Sequence, residues 1–390
     1  MRPPDPTRSD LIVLSHLRWN FVWQRPQHLI SRMANARRTW FVEEPLPSGG
    51  VERPILRSAE TDGITRVWLE VPTGAHHLDF GDPGTECYAT ALGELLEDAT
   101  SPWVWMYTPM ALEIAQQMRP SLLIYDVMDD LAAFKNASAT MVLRQHQAIA
   151  VADVVFAGGR SLFEKVRKHR DETAYLFPSG VEPEHYACAR AHKMRHERPV
   201  AGYVGVIDER LDLELIDGLA RVLPDWDVHL VGPVAKLEGV PLPDRPNIKW
   251  FGQQRYEDLP RLMGGFDVAL MPFALNASTR SISPTKTLEY LAAGLPVVST
   301  RIPDVVTDYA SVVDLQDDAD GFARACRNVY DHSLEERDLK IDPLLRFHHW
   351  DSVAPRMEEL IAAAAESQVV SESVTPIVLD DDARSSAAPG

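Results

Sequence analysis

The residues best suited to chemistry lie between Asn276 and Gly294, in a polar loop that runs into an amphipathic helix. Ser283 is a good helix N-cap and Pro284 suits the first helical position. Leu288, Leu291 and Ala292 supply an inward face, Gly294 closes the helix and Pro296 prevents its continuation. The start of such a helix presents free backbone N–H groups and a positive dipole end, for which a diphosphate is the natural guest. Lys286 sits in the first turn, where the dipole alone favours an acid, so a cation there matches an anionic ligand. A solvated lysine is the alternative, and Arg280 on the adjoining loop tips the balance toward the anion. Glu289, one turn after Thr285, offers two acceptor oxygens to the hydroxyls of a ribose, although from spacing alone an ordinary surface helix glutamate is the better description.

A second cluster, Asp126-Val127-Met128-Asp129-Asp130, follows an apolar run. Carboxylates this close repel one another and raise at least one pKa, which suits acceptor-hydroxyl recognition or proton transfer. Helix capping by Asp129 or Asp130 explains them as well. Near the N-terminus, His16, Arg18 and Trp19 follow the first strand. Arg18 and Trp19 are candidates to hold a sugar by hydrogen bonding and stacking, with packing of Trp19 and Trp23 as the alternative. Arg25 and His28 open the next helix and are candidates to face the same space. None of these spacings matches a dedicated metal site, and none of the three cysteines, Cys87, Cys188 and Cys326, forms a CxxC pair.

The elements that must carry these residues alternate between strand and helix. Short apolar runs at Leu11–Ser15, Trp103–Tyr107, Ser121–Tyr125 and Asp153–Ala157 read as buried parallel strands, interleaved with helical stretches near 25–36, 110–118 and 140–151. A second series begins at Val200, with strands at 200–206, 226–231, 248–251, 268–272 and 297–300. Two α/β series predict two Rossmann-like domains facing across a cleft, with ligands at the carboxyl ends of the strands. The expected division is an acceptor domain over 1–182, a charged irregular linker over 183–199 and a donor-binding domain over 200–345. A helix over 346–365 then crosses back to the first domain, before a disordered tail over 366–390.

The chain of 390 residues is long enough for two cores, and its 45% hydrophobic and 25% charged residues are those of a globular protein. A formal net charge of −18 disfavours nucleic acid and anionic membrane surfaces as general partners. No apolar run approaches the about 18 residues needed to span a bilayer, and the first ten residues lack the apolar core of a secretion signal. The expectation is a cytoplasmic protein, with peripheral attachment to the inner membrane face left open. The loop after the first strand carries no GxGxxG, which disfavours a dinucleotide oxidoreductase.

The stretch FDVALMPFALNASTRSISPTKTLEYLAAGLPVVSTRIPDVV resembles the donor motif of GT-B glycosyltransferases, especially retaining family 4, the glycosyl transferases group 1. The likeness extends to HLRWNFVWQRPQHL, YDVMDDLAAFKNAS, LFPSGVEPEHY, GYVGVIDERLD, HLVGPV and NIKWFGQ, and so covers most of residues 10–310. The subgroup it is most similar to is the TuaH-like type of bacterial envelope-polysaccharide enzymes. This resemblance implies a nucleotide-sugar donor, UDP-linked, a glycan or lipid-linked acceptor, retention of anomeric configuration, and no metal or other cofactor. It places Glu289 at the family's ribose-binding glutamate, and Ser283, Pro284, Thr285 and Lys286 around the diphosphate. The family's preceding glutamate, beside the donor sugar, falls here at Ser281. After the first strand of the second domain the family carries an arginine and a lysine for the leaving diphosphate. In the run from Gly205 to Arg210 only Arg210 is basic, and it either substitutes for them or pairs with Glu209 or Asp212. A nucleotide-sugar 2-epimerase of the same fold, and a catalytically weakened nucleotide-sugar-binding protein, are the alternatives.

Overall fold

The computed structural model describes residues 9–373, except 74–77, 82–85, 100–101, 134–136, 171, 236, 238–239 and 331–334. The first half runs β1 (Leu11–Ser15), α1 (Arg25–Met33), β2 (Thr39–Glu43), β3 (Leu46–Ser48), β4 (Ile55–Thr61), β5 (Ile64–Pro72), α2 (Glu86–Leu95), β6 (Trp103–Met106), α3 (Leu112–Gln117), β7 (Leu122–Val127), α4 (Ala139–Val151), β8 (Val154–Ala157), α5 (Arg160–Arg167) and β9 (Ala174–Leu176). Then follow α6 (Pro183–Ala191), β10 (Val200–Val204), α7 (Leu213–Val222), β11 (Asp227–Val231), β12 (Ile248–Gly252), α8 (Leu259–Met263), β13 (Val268–Met271), α9 (Lys286–Ala292), β14 (Val297–Ser299), α10 (Pro303–Tyr309), β15 (Asp314–Leu315), α11 (Ala319–Tyr330), α12 (Glu335–Phe347) and α13 (Trp350–Ser373).

These strands form two sheets. The first has the order β3-β5-β2-β1-β6-β7-β8-β9, parallel throughout, with β4 added antiparallel on β5. The second has the order β12-β11-β10-β13-β14-β15 and is parallel throughout. β1, β7, β8, β10, β11 and β13 are buried at every position, because helices cover both faces, so their sequences are largely apolar rather than alternating, with Asp126 in β7 and Asp227 and His229 in β11 as buried polar exceptions. In each sheet the first strand lies between two neighbours reached in opposite directions, β1 between β2 and β6, and β10 between β11 and β13. The crevices at those reversals are where this architecture receives ligands.

Three expectations need correction. The segment 183–199 is not irregular throughout: α6 opens it and packs on α8 and α9, and Tyr186 and Ala189 join the second core. Its helix signals are Pro183 at the first turn, Glu184 near the N-terminus and Arg190 near the C-terminus, but only two of its residues are buried, so the apolar period is faint. Helix α2 was not expected from the sequence at all. Residues 366–373, expected in a disordered tail, are helical, since α13 continues to Ser373; residues 374–390 lie outside the described residues. From Trp350 to Ile361, α13 packs with Leu29, Ile30 and Met33 of α1 in the first domain's core. Arg37 is ion-paired to Glu358 at 2.8 Å and Arg32 to Asp351 at 2.6 Å across the same contact.

Candidate active site between the two domains

The carboxyl ends of the two sheets face each other. The backbone oxygen of Phe21, after β1, accepts from Gln253 Nε2, after β12, at 2.8 Å. The turn after β8 meets α10: Ser161 N–H donates to Asp304 Oδ1 at 3.1 Å, and Arg160 Nη2 donates to Asp308 Oδ1 at 2.6 Å. A Cβ on Gly159 would come within 2.7 Å of the Ser283 Cβ and 2.6 Å of Asp304 Oδ2, so this turn needs glycine for a close approach between the domains. Burial raises the Asp304 carboxyl pKa, while its bonds to Ser161 pull it down again.

On the second domain the site is built at the reversal between β10 and β13. Tyr290 is fully buried, and its hydroxyl receives the Val204 N–H at 2.8 Å and donates to the Val204 oxygen at 3.3 Å. That clasp fixes α9 against the end of β10. Gly205 follows directly: a Cβ there would lie 3.0 Å from Lys286 Cε, and a Cβ on Gly232 (φ +145°) would fall 1.8 Å from the Gly205 oxygen. Two glycines thus let the ends of β10 and β11 draw together beneath the Lys286 side chain. Lys286 Nζ is 3.2 Å from Glu289 Oε2, and both side chains are partly exposed. The cation and carboxylate expected to divide diphosphate and ribose between them are therefore neighbours on one helical turn.

The cap differs from expectation. Thr285, in the helical region of backbone space, is the N-cap, and Ser283 makes no side-chain cap. Pro284 O accepts from Thr287 N–H at 3.2 Å. With only seven residues, α9 has a small dipole, so side-chain charge must do most of any anion binding here. The preceding loop is organised by Asn276, whose Oδ1 accepts from Ser278 N–H at 3.0 Å and Thr279 N–H at 3.2 Å. Arg280 is exposed on this loop. Ser281 is buried and its Oγ has no hydrogen-bond partner.

Arg210 is laced to the same loop, because its backbone oxygen accepts from Ala274 N–H at 2.9 Å. Its side chain pairs with neither Glu209 nor Asp212, but with Asp208, at 3.0 Å from Nε to Oδ1 and 2.6 Å from Nη2 to Oδ2. Asp212 instead caps α7. Although burial opposes the charge, Asp208 and then Asp129 of the first domain hold the Arg210 guanidinium well above the usual arginine range. The charge of Asp129, on the turn after β7, thus acts on Arg210. Asp208, two residues before Arg210, was visible in the sequence but was not singled out.

The first domain corrects four assignments. Asp126 lies inside β7, not beyond it, and is 0% exposed. Arg25, 1% exposed, forms two hydrogen bonds with it at 2.8 and 3.0 Å and a third with Phe177 O at 2.8 Å. Burial pushes the Asp126 carboxyl up and Arg25 pulls it down. Neither Asp126 as a catalytic group nor Arg25 as an acceptor ligand can reach a substrate. Trp19 is 2% exposed, packs edge-on against Phe41 at 5.0 Å and donates Nε1–H to Asp62 at 3.2 Å, so it belongs to the core rather than to a stacking surface. Arg18 spends its guanidinium on Glu43, the Glu44 oxygen and, at 2.8 Å, the Pro45 oxygen, which ties down the loop after β1. His16, directly after β1, is half-buried at the first sheet's reversal. His28 is buried; burial pushes its imidazole down to about 3, so it is neutral and its Nδ1 accepts from Trp23 Nε1–H at 3.1 Å.

A cavity of about 320 Å³ lies elsewhere, at the amino edge of the second sheet, lined by Arg190, Lys193, Phe266 and Gly294. Among the described residues no group of three His, Cys, Asp or Glu side chains is placed to hold a metal ion, and no helix is long and apolar enough to cross a membrane.

Two parallel α/β sheets with opposed carboxyl ends and a glycine-lined crevice in the second define the GT-B fold. Residues 198–332, which hold that crevice, match the family model described as glycosyl transferases group 1. Over 140 residues the chain is 31% identical to a protein of Bacillus subtilis (strain 168) named as the teichuronic acid biosynthesis glycosyltransferase TuaH; the match spans 34% of this chain and 35% of that relative. Among solved structures, sucrose-phosphate synthase from Thermosynechococcus elongatus superposes with a TM-score of 0.66 at 14% identity, over 94% of this chain and 100% of the other. HepE of Anabaena, in complex with UDP and glucose, superposes at 0.63 and 15% identity, over 94% and 100%. An α,α-trehalose-phosphate synthase (UDP-forming) from Burkholderia xenovorans, in complex with glucose-6-phosphate, superposes at 0.66 and 14%, over 90% and 100%.

Proposed function

We propose that this chain is a glycosyltransferase that moves a sugar from a UDP-linked donor to a glycan or lipid-linked acceptor in cell-envelope polysaccharide synthesis, with retention of configuration. The observation that carries this reading is the convergence of Gly205, Lys286 and Glu289 at the strand reversal of the second sheet. The UDP named in two of the structural relatives supports the donor, and the teichuronic acid role in the TuaH name supports the acceptor class. Glu289 takes the ribose hydroxyls. Lys286, with the backbone from Ser283 to Thr285 and with Arg280 in reach of the loop, takes the diphosphate.

In the reaction the bond from the anomeric carbon to the diphosphate oxygen breaks and a bond to the acceptor oxygen forms. The acceptor proton leaves with, or by way of, the departing phosphate. Lys286 and Arg210 stabilise the charge that develops on the leaving group. Asp129, whose charge acts on Arg210, is our candidate carboxylate for an acceptor hydroxyl, with His16 at the matching reversal of the first sheet. Closure of the domains on each other excludes water and favours transfer over hydrolysis.

Lys286→Ala should weaken UDP by about 10- to 100-fold while leaving uridine nearly unchanged, because only the diphosphate meets the ammonium. Calorimetric titration of both ligands checks this, and equal losses for the two would remove Lys286 from the phosphate site. One observation favours a second reading. Ser281 stands where the family's sugar-side glutamate falls, which suits a weakened, nucleotide-sugar-binding protein. Donor binding without transfer across a broad acceptor panel would select it.

A further inference from the structure

We propose that Asp304 is a positioning residue for the donor loop: reaching from the second domain, it caps helix α5 of the first and seats the Gly158–Gly159 turn against Ser283. This rests on the backbone from Ser283 to Thr285 being the diphosphate site. Helix α5 does not cap itself. Its N-cap is Gly159, which has no side chain, and its first turn carries no acid. The carboxylate it lacks comes from Asp304, in the first turn of α10. Ser161 donates its N–H to Asp304 Oδ1 at 3.1 Å and to Oδ2 at 3.4 Å, and its hydroxyl to Oδ1. Asp304 is buried between the two elements. The first turns of α5 and α10, each with N–H groups that no carbonyl of its own helix receives, thus meet through one carboxylate.

The cap sets two sides of the cleft against each other. A Cβ on Gly159 would fall 2.6 Å from Asp304 Oδ2 and 2.7 Å from the Ser283 Cβ, so one turn touches both the cap and the donor loop. Behind it, Gly158 donates its N–H to Val127 O at 2.8 Å, and a Cβ there would fall 3.1 Å from Met128 Cα. The turn is therefore packed between Ser283 and the end of β7, next to the residue that precedes Asp129. Arg160 adds an outer strut to Asp308 Oδ1, at 3.0 Å from Nε and 2.6 Å from Nη2, but this pair is partly exposed and open to screening by salt. The loop through Ser283 leads into α9, which is only seven residues long, so the helix alone gives it little support. A first-domain turn held against Ser283 narrows the positions that the Ser283–Thr285 backbone can take. Backbone donors serve a diphosphate best when fixed beforehand, so loosening this turn weakens the diphosphate contact and spares those to base and ribose.

The test measures affinities of UDP and uridine, and of GDP and guanosine, by calorimetry on the full chain and on Asp304→Ala, Asp304→Asn, Gly159→Ala and Lys286→Ala. The ratio of diphosphate to nucleoside affinity is the readout, because partial unfolding lowers both members of a pair equally. The expected result is a clear diphosphate preference in the wild type that Lys286→Ala largely removes and Asp304→Ala reduces by about 3- to 10-fold. Asp304→Asn should keep most of the preference, since an asparagine oxygen also caps a helix. Gly159→Ala leaves the carboxylate in place but pushes the turn off Ser283, and should reduce the preference as Asp304→Ala does. Ser161→Ala should change nothing further in the Asp304→Ala background. An Asp304→Ala protein with the wild-type ratio, beside a Lys286→Ala protein that has lost it, overturns the positioning role and leaves the diphosphate site standing. An equal fall in both members of a pair marks a structural contact alone and overturns it too. A wild type with no diphosphate preference in either pair overturns both the role and the site.

Discussion

Arg25→Met should cost the first domain about 3–5 kcal/mol of stability, because it strands a buried carboxylate. The substitution removes both Arg25 hydrogen bonds to the buried Asp126 and leaves the Phe177 oxygen without its guanidinium donor. Methionine fills most of the arginine volume, so the loss reports charge rather than a cavity. Urea unfolding followed by tryptophan fluorescence should show a midpoint well below that of the wild type. Adding Asp126→Leu should recover much of the loss, since replacing both members of a buried pair by apolar groups is often neutral. A loss under about 1 kcal/mol would mean that the pair is not the brace between α1, β7 and the strand-end at Phe177 that the geometry describes.

The second large effect is on ligand binding. Glu289→Ala should weaken nucleotide-sugar affinity by about 1–3 kcal/mol, or about 5- to 150-fold, if the carboxylate accepts the ribose hydroxyls. The substitution also frees Lys286 from its partner at 3.2 Å, which strengthens its hold on a diphosphate and offsets part of the loss. Glu289→Gln separates the two contributions, since the amide keeps one acceptor oxygen and the side-chain shape but loses the charge that held the lysine. Calorimetry with the UDP-sugar and with UDP distinguishes these cases, and an unchanged affinity in Glu289→Ala would refute the ribose role.

The fold was legible because its information is local. A parallel strand covered on both faces has to be an unbroken apolar run, and LIVLS, VAGYV and VALM are such runs between polar turns. The loop proposed to bind the donor was legible for the same reason. Lys286 and Glu289 lie one helical turn apart, so a helix prediction alone brings them together. What could not be read was any relation over long sequence separation. Arg25 and Asp126 are 101 residues apart, and each by itself resembles a substrate ligand, one at the start of a helix and the other after an apolar run. Only the folded chain shows that they neutralise each other. Trp19 and Arg18 went the same way: the first is buried against Phe41, and the second is bound to a loop that begins 25 residues later. The groups that shape the cleft from behind carry no motif. Tyr290 is a helix tyrosine until its hydroxyl is seen on Val204, and Asp304 is a helix-start acid until Ser161 arrives from the other domain.

The central claim is that the turn leading into the Lys286–Glu289 helix captures a sugar nucleotide inside the cleft. Amide hydrogen exchange on the full chain, with and without saturating UDP, reports on it most directly, since a ligand bound to native chain slows opening where it sits. Slowed exchange over 203–210 and 281–290, carried across to the 158–161 turn as the domains close, is the predicted result. Protection confined to the Arg190 and Gly294 cavity on the far edge of the sheet, or no protection over 281–290 at a concentration that raises the melting temperature, would contradict it.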